Sequence, residues 1–288
     1  MIIWSIAKTT IGDALRKKVL QIFLVVAIGL IVISLSFSQS LSFSTRQGSS
    51  TDLMLVKSFG LGLMALAGWL ISLVMGVGLI PQEIERRTIY TILSKPVNRY
   101  EFIIGKFLGA VITLAINIAL MGVVFIIVVA AKAHGAVITP AEGIVGAEGS
   151  PAMVQKVGLF DANMLWGIVM IYLQFMVLSS VVLMFSTFLT PTVNFFMGLG
   201  VYLVGLMGSV TQTIMNSPTA SMPLRGLYYV MHYVVPNFDN FNVTNTLLHP
   251  EKHIANMAVY TGQIGLYGLL YALFMTTIAV IIFQRKEV

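Results

Sequence analysis

Chemistry-bearing side chains are scarce in this 288-residue chain, and they concentrate in one block, 80–109, which reads IPQEIERRTIYTILSKPVNRYEFIIGKFLG. Glu83, Glu85, Arg86, Arg87, Lys95, Arg99, Glu101 and Lys106 stand there between two long apolar runs. Charge set into such surroundings belongs in water or against a partner, so the chemistry on offer is ion pairing and docking. Catalysis has little to work with. Neither H-E-x-x-H nor G-x-S-x-G occurs, which removes the commonest zinc-hydrolase and serine-hydrolase signatures. His249 and His253, one helical turn apart with Glu251 between them, offer a metal two ligands, whereas zinc usually takes four. They read as exposed loop histidines, and no metal site is expected. Gly105-Lys106 does not make a phosphate loop, because Tyr100 stands where the first glycine belongs and Phe107 where the Ser/Thr belongs. Cysteine is absent, which excludes disulfides, thiolate metal sites and a Cys nucleophile.

The elements that carry this block are apolar throughout. Apolar residues make up 57% of the chain and charged ones only 10%, with a mean hydropathy of +0.91. A soluble surface is hard to build from so little charge. About 20 apolar residues cross roughly 30 Å of hydrocarbon, and six runs qualify: 19–38, 58–80, 102–131, 164–189, 194–216 and 260–283. Thr190-Pro191-Thr192-Val193 alone separates the fourth from the fifth, which makes a tight helical hairpin. The expected class is an all-α integral membrane protein forming a single transmembrane bundle, since open strands cannot satisfy their backbone in lipid.

Basic residues orient the bundle. Lys8, Arg16, Lys17, Lys18, Arg86, Arg87, Lys95, Arg99, Lys106, Arg285 and Lys286 share one side, which is 11 of the 17 Lys+Arg. Arg46, Lys57, Lys132, Lys156, Arg225 and Lys252 fall on the other, within longer loops. The positive-inside rule places both termini in the cytoplasm. The formal charge of +6 is then a topology signal, with no need for nucleic acid as a partner. The basic cluster at Arg16–Lys18 comes too late, with no clear A-x-A site beyond it, for a cleaved signal peptide.

Residues 2–16 form an interfacial elbow helix with Ile3, Ala7, Ile11, Ala14 and Leu15 near one face and Trp4 suited to the headgroup layer. Gly68, Ser72 and Gly76 make a small-residue ridge on the second run, and Gly262, Gly265 and Gly268 another on the last. Either ridge serves packing within one subunit or between two. Residues 132–162 and 217–259 are extracytoplasmic loops, the second with an aromatic stretch at 224–235. Polar residues inside the runs are few and uncharged, with Ser72, Asn117, Gln174 and Ser186 open to pathway or packing roles. A path without ionisable groups argues against a proton-coupled carrier.

Within the charged block, Pro81 suits a first helical turn, and Glu83 and Glu85 complement the helix dipole there. Glu83 pairs with Arg87 one turn on. Lys95-Pro96 ends this helix, and Asn98 with Glu101 forms a capping box that starts the third run. Region 81–99 is therefore helix, break, helix. Glu83-Ile84-Glu85-Arg86-Arg87-Thr88, Leu93-Ser94-Lys95-Pro96-Val97, Arg99 and Gly105-Lys106 resemble the acidic–Thr, L-x-x-P-[VI]-x-R and GK elements of type-2 ABC exporter permeases. The multi-span bacterial branch is the most similar. IAKTTIGDALRKKVL resembles its elbow, LMFSTFLTPTVNFFMG its fourth–fifth hairpin, and YVVPNFDNFNV a stretch before its last span.

That resemblance implies a non-catalytic permease subunit in the cytoplasmic (inner) membrane of a bacterium. It implies a homodimer standing on two ABC ATPase subunits, with ATP and Mg bound by those partners and no cofactor in this chain. Residues 83–93 would be the coupling helix, with Glu83, Glu85, Arg86, Arg87, Thr88, Leu93, Lys95, Pro96, Arg99 and Lys106 as the coupling set. An ATP-driven scaffold without cargo and a polytopic membrane hydrolase are the alternatives. The orientation has a direct test, because the chain has no native cysteine to interfere. Single cysteines at Lys8, Lys95 and Lys286 will resist an impermeant thiol reagent in intact cells, and one at Glu148 will react. Labelling at Lys95 from outside would reverse the topology.

Overall fold

A computed structural model describes residues 2–45, 49–81, 98–133, 162–208, 226, 229, 234–243 and 256–285. Its elements are α1 (Ile2–Arg16), α2 (Lys18–Thr45), α3 (Ser49–Gly78), α4 (Arg99–Ala133), α5 (Ala162–Ser186), α6 (Pro191–Gly205), a 3-10 turn (Asp239–Phe241) and α7 (Met257–Arg285). Among the described residues there is no strand, and the fold is all-helical. Four helices are long and apolar enough to cross a bilayer, and a fifth span exists if α1 and α2 count as one bent pair.

The faces of α7 show what solvent these helices are built for. Its buried stripe is mostly small, with Thr261, Gly265, Gly268, Ala272, Thr276 and Ala279, and two larger residues, Met275 and Phe283, toward its end. Its exposed face is large and apolar, with Leu266, Leu270, Leu273 and Phe274 about three-fifths uncovered. A water-soluble helix has the opposite pattern. Small residues inside and bulky ones outside are how helices approach closely in lipid.

The same rule seats α3 on α5. A methyl on Gly68 would lie 2.6 Å from Phe175 Cδ2, and one on Gly76 the same distance from Val182 Cγ1. Between these glycines Ser72 Oγ donates to the Phe175 carbonyl at 3.1 Å and lies 2.9 Å from Ser179 Oγ. A hydroxyl has one proton, so Ser179 is the donor in the second bond. The Gly68–Ser72–Gly76 ridge therefore packs within one chain. Gly265 and Gly268 do likewise, against Leu173 and against Val177 with Phe241, while Gly262 faces open space.

The elbow is held in the same way. The chain turns by 64° between α1 and α2, and Gln21 Nε2 caps the Leu15 carbonyl at 2.8 Å across the bend. The principal neighbour of α1 is α4. A methyl on Gly105 would meet Ile6 Cβ at 2.8 Å and the Ile3 carbonyl oxygen at 3.0 Å. One on Gly109 would meet Thr10 Cβ at 2.6 Å and the Ala7 carbonyl oxygen at 2.9 Å. The seated stripe is thus Ile3, Ile6, Ala7, Thr10 and Ala14, and Leu15, expected on the packed face, is exposed. The groove over Gly105 and Gly109 selects residues at its own spacing, and Leu15 lies beyond its end.

The hairpin between α5 and α6 turns at 187–190, with Pro191 as the first helical residue after Thr190. Asn194, fully buried, donates from Nδ2 to the Val182 carbonyl at 3.1 Å and ties the two helices together. Helix α6 differs from the run expected over 194–216. It has 15 residues, roughly 22 Å at 1.5 Å per residue, and it stops at Gly205. There the Phe238 amide donates to the Gly205 carbonyl at 2.9 Å, and Pro236 and Phe238 pack where a side chain at 205 would go. Part of the expected 217–259 loop therefore packs into the bundle end. Overpacking a helix seat costs about 1–3 kcal/mol, so Gly109→Leu will lower the melting midpoint by several degrees and loosen α1. Gly29→Ala, where a methyl meets nothing within 4 Å, will leave it unchanged; intrinsic fluorescence on heating in detergent reads both.

Candidate functional site

Of the ten residues in the expected coupling set, Glu83, Glu85, Arg86, Arg87, Thr88, Leu93, Lys95 and Pro96 lie outside the described residues. Arg99 and Lys106 are described, and both sit at the end of the bundle that gathers α1, the start of α4 and the end of α7. Asn98 precedes α4, and its backbone amide donates to Glu101 Oε2 at 2.9 Å, the carboxylate arm of a capping box.

Arg99 Nη1 donates to the carbonyl oxygens of Phe283, at 3.4 Å, and Gln284, at 3.1 Å. These are among the last carbonyls of α7, which have no partner within their own helix. A guanidinium there satisfies them and complements the negative end of the helix dipole. The first residue of α4 is thereby bonded to the last turn of α7. Lys106 is 4% exposed, with Nζ 5.7 Å from the centroid of the Phe102 ring. That ring stacks on Phe283 at 5.8 Å. Arg99, Phe102, Lys106 and Phe283 form one packed joint, and the elbow lies against its neighbour Gly105.

The four polar residues left open between pathway and packing stand in four different settings. Ser72 belongs to the α3–α5 contact. Asn117 donates from Nδ2 to the Thr113 carbonyl at 2.8 Å, within α4. Ser186 is buried, and its hydroxyl has no hydrogen-bond partner among the described residues. Gln174, midway along α5, lines a cavity of about 340 Å³ at the far end of the bundle.

That end is closed by 234–243. Phe238 and Phe241 are fully buried, with Phe238 against Tyr202 at 5.6 Å and Phe241 against Tyr267 at 6.3 Å. Three tyrosines of α7 serve its backbone. Tyr260 donates to the Asn240 carbonyl and Tyr271 to the Val234 carbonyl, each at 2.8 Å, and the Tyr267 hydroxyl accepts from the Asn237 amide at 3.2 Å. The tyrosine row and the hairpin clamp Asn194 were missed in the sequence. Spacing of seven and four between Tyr260, Tyr267 and Tyr271 was the available signal. Among the described residues, no group of three or more His, Asp and Glu side chains is placed to hold a metal.

An all-helical bundle with small buried stripes and bulky apolar outer faces is the architecture of an integral membrane protein. The family model for ABC-2 family transporter proteins matches residues 4–288, and the chain belongs to that family. It is a permease component of an ABC transporter, and membership implies an ABC ATPase as partner. No curated protein matches the chain.

Arg99→Gln will free the Phe283 and Gln284 carbonyls and weaken the last turn of α7, by roughly 1 kcal/mol given that the pair is only partly buried. Hydrogen exchange will rise at 281–285 and stay unchanged in the core of α5. Unaltered exchange at 281–285 would show that the cap carries no load.

Proposed function

We propose that the chain is the membrane-spanning half of an exporter that works as a homodimer on two ATPase subunits, each taking residues 83–93 into a surface cleft. The observation that carries this reading is the family match across 4–288 on a chain without a phosphate-binding loop. Energy must then come from another chain, where ATP and Mg are held. Six spans, with α1 as elbow and both termini in the cytoplasm of a bacterial inner membrane, are part of the proposal. The short α6 serves as the fifth span, completed at its outer end by the 234–243 segment. The basic asymmetry supports that orientation.

The joint at Arg99 supports a route for the coupling. Movement of 83–93 reaches Asn98 and Arg99 directly, and from there α7 through the Phe283 and Gln284 carbonyls. The elbow, seated on Gly105 and Gly109, moves with the same turn of α4. A push on the cytoplasmic block is thus delivered to three helices at once.

The test is made with the cognate ATPase co-expressed. Charge reversal at Glu83 or Arg87 will weaken copurification, because each meets a like charge across a polar contact. Thr88→Pro will be worse, since a mid-helix proline costs about 3 kcal/mol and breaks the docking element. Insertion and dimerisation will stay normal, while transport and stimulation of the ATPase are lost. Wild-type copurification and transport in these variants would reduce 81–93 to an ordinary surface turn. Intact docking and ATPase stimulation without any cargo movement in the wild type would favour the scaffold reading.

A further inference from the structure

The cavity beneath the 3-10 turn lies within one chain, between α3, α5 and α6. We propose that it is a binding site for one compact, uncharged, largely apolar molecule carrying a single hydrogen-bonding group. Its volume of about 340 Å³ is roughly twice that of an apolar cavity that stays dry and takes up benzene, and it falls within the usual range for ligand pockets. A molecule of two fused or linked rings fits that space.

The walls choose the chemistry. Leu61, Ile171, Leu206 and Val243 supply aliphatic surface and Tyr202 an aromatic face, and among the described residues no charged side chain lines the cavity. A charged ligand would be desolvated there without compensation. Two polar side chains stand in that lining, Asn242 of the closing segment and Gln174 on the α5 wall. Gln174 is 4% exposed, and no hydrogen bond to another described residue occupies its amide. The amide faces the cavity, where a ligand hydroxyl or carbonyl can bond it at a gain of about 1 kcal/mol, roughly fivefold in affinity. One turn along α3 from Ala65, and behind the lining, the Trp69 indole nitrogen is buried without a partner among the described residues, its ring stacked on Tyr202 at 5.6 Å. Entry is at Gly62, an exposed lining residue where a methyl would meet nothing within 4 Å. The site is complete in a single chain, so it stands or falls apart from ATPase docking and dimerisation.

The probe is a trifluoromethyl-diazirinyl benzyl alcohol, photolysed with the permease alone in nanodiscs and mapped by peptide mass spectrometry. Labelling at 61–65 and 167–174 will be saturable and displaced by excess naphthol. Gly62→Phe will lower it by about tenfold by filling the mouth. Wild-type protein will favour the alcohol over its deoxy analogue by roughly fivefold, the size of one hydrogen bond. Gln174→Leu will abolish that preference, a readout that holds even if Gly62→Phe fails to insert. Unsaturable labelling spread equally over lipid-type surface such as Leu270 and Leu273 would overturn the site. An alcohol preference retained in Gln174→Leu would do the same.

Discussion

In a bilayer the hydrophobic effect does not press one apolar helix against another, because lipid tails are as apolar as the helix surface. Association then depends on how closely the backbones approach and on the few hydrogen bonds that cross between them. In this chain the approach is set by small residues: Gly68, Ser72 and Gly76 on α3, Gly105 and Gly109 on α4, and Gly265, Gly268 and Ala272 on α7. At Gly68, Gly76, Gly105 and Gly109 a neighbouring side chain comes within 3 Å of where a Cβ would stand, and at the other positions the small side chain lets the neighbour pack close. Helix α5 is the hub, meeting α3, α4, α6 and α7. Its central window is 67% buried, against 33% for α7. The outer helices keep a broad apolar face free for lipid or a second copy, and α5 keeps little.

The long helices were legible because a run of twenty apolar residues has few other fates. Their bounds overlap the helices observed, and the charged block falls where one apolar run gives way to another. What periodicity missed was always a contact with a segment distant in sequence. Nothing local marks Gly205 as the end of α6, because the chain stays apolar beyond it. The break is made by the Phe238 amide bonding a carbonyl that a longer helix would have used itself. The elbow makes the same point. Hydrophobicity alone nominates Leu15, but the groove on α4 takes Thr10, whose hydroxyl is already satisfied by the Ile6 carbonyl at 2.9 Å. Gly105 was noticed as part of a family element beside Lys106. Its partnership with Gly109 acquires meaning only once α1 lies across both.

The candidate site divides along the same line. Arg99 and the Asn98–Glu101 cap are readable from local chemistry, while the use of Arg99 as a cap for α7, some 184 positions on in sequence, is not. The closing segment at the other end shows why irregular backbone is tolerated in so apolar a place. Non-helical carbonyls and amides need partners there, and α7 supplies three tyrosine hydroxyls, the ring of one of them, Tyr267, also packing with Phe241. A polar tip on an apolar ring suits a position that is buried but must serve free backbone. Closing that end over α3, α5 and α6 leaves the cavity as the space the plug does not fill.

The two ends are built to behave differently. At the terminal end, contacts are short and mutual: α1 over a glycine pair, an aromatic stack between Phe102 and Phe283, and a guanidinium across two carbonyls. A displacement at Asn98 cannot be absorbed within α4, because its first two turns are bonded or packed to α1 and α7. The far end is a ten-residue segment of mostly non-helical backbone, anchored by Phe238 and Phe241 and tied to α7 through single hydroxyls, beside a void. Individual hydrogen bonds of that kind each contribute only about 1 kcal/mol, and the void offers side chains room to rearrange without overpacking. Under the coupling proposed above, force entering at the charged block would move whole helices, and the cavity beneath the plug is where the bundle has room to give way.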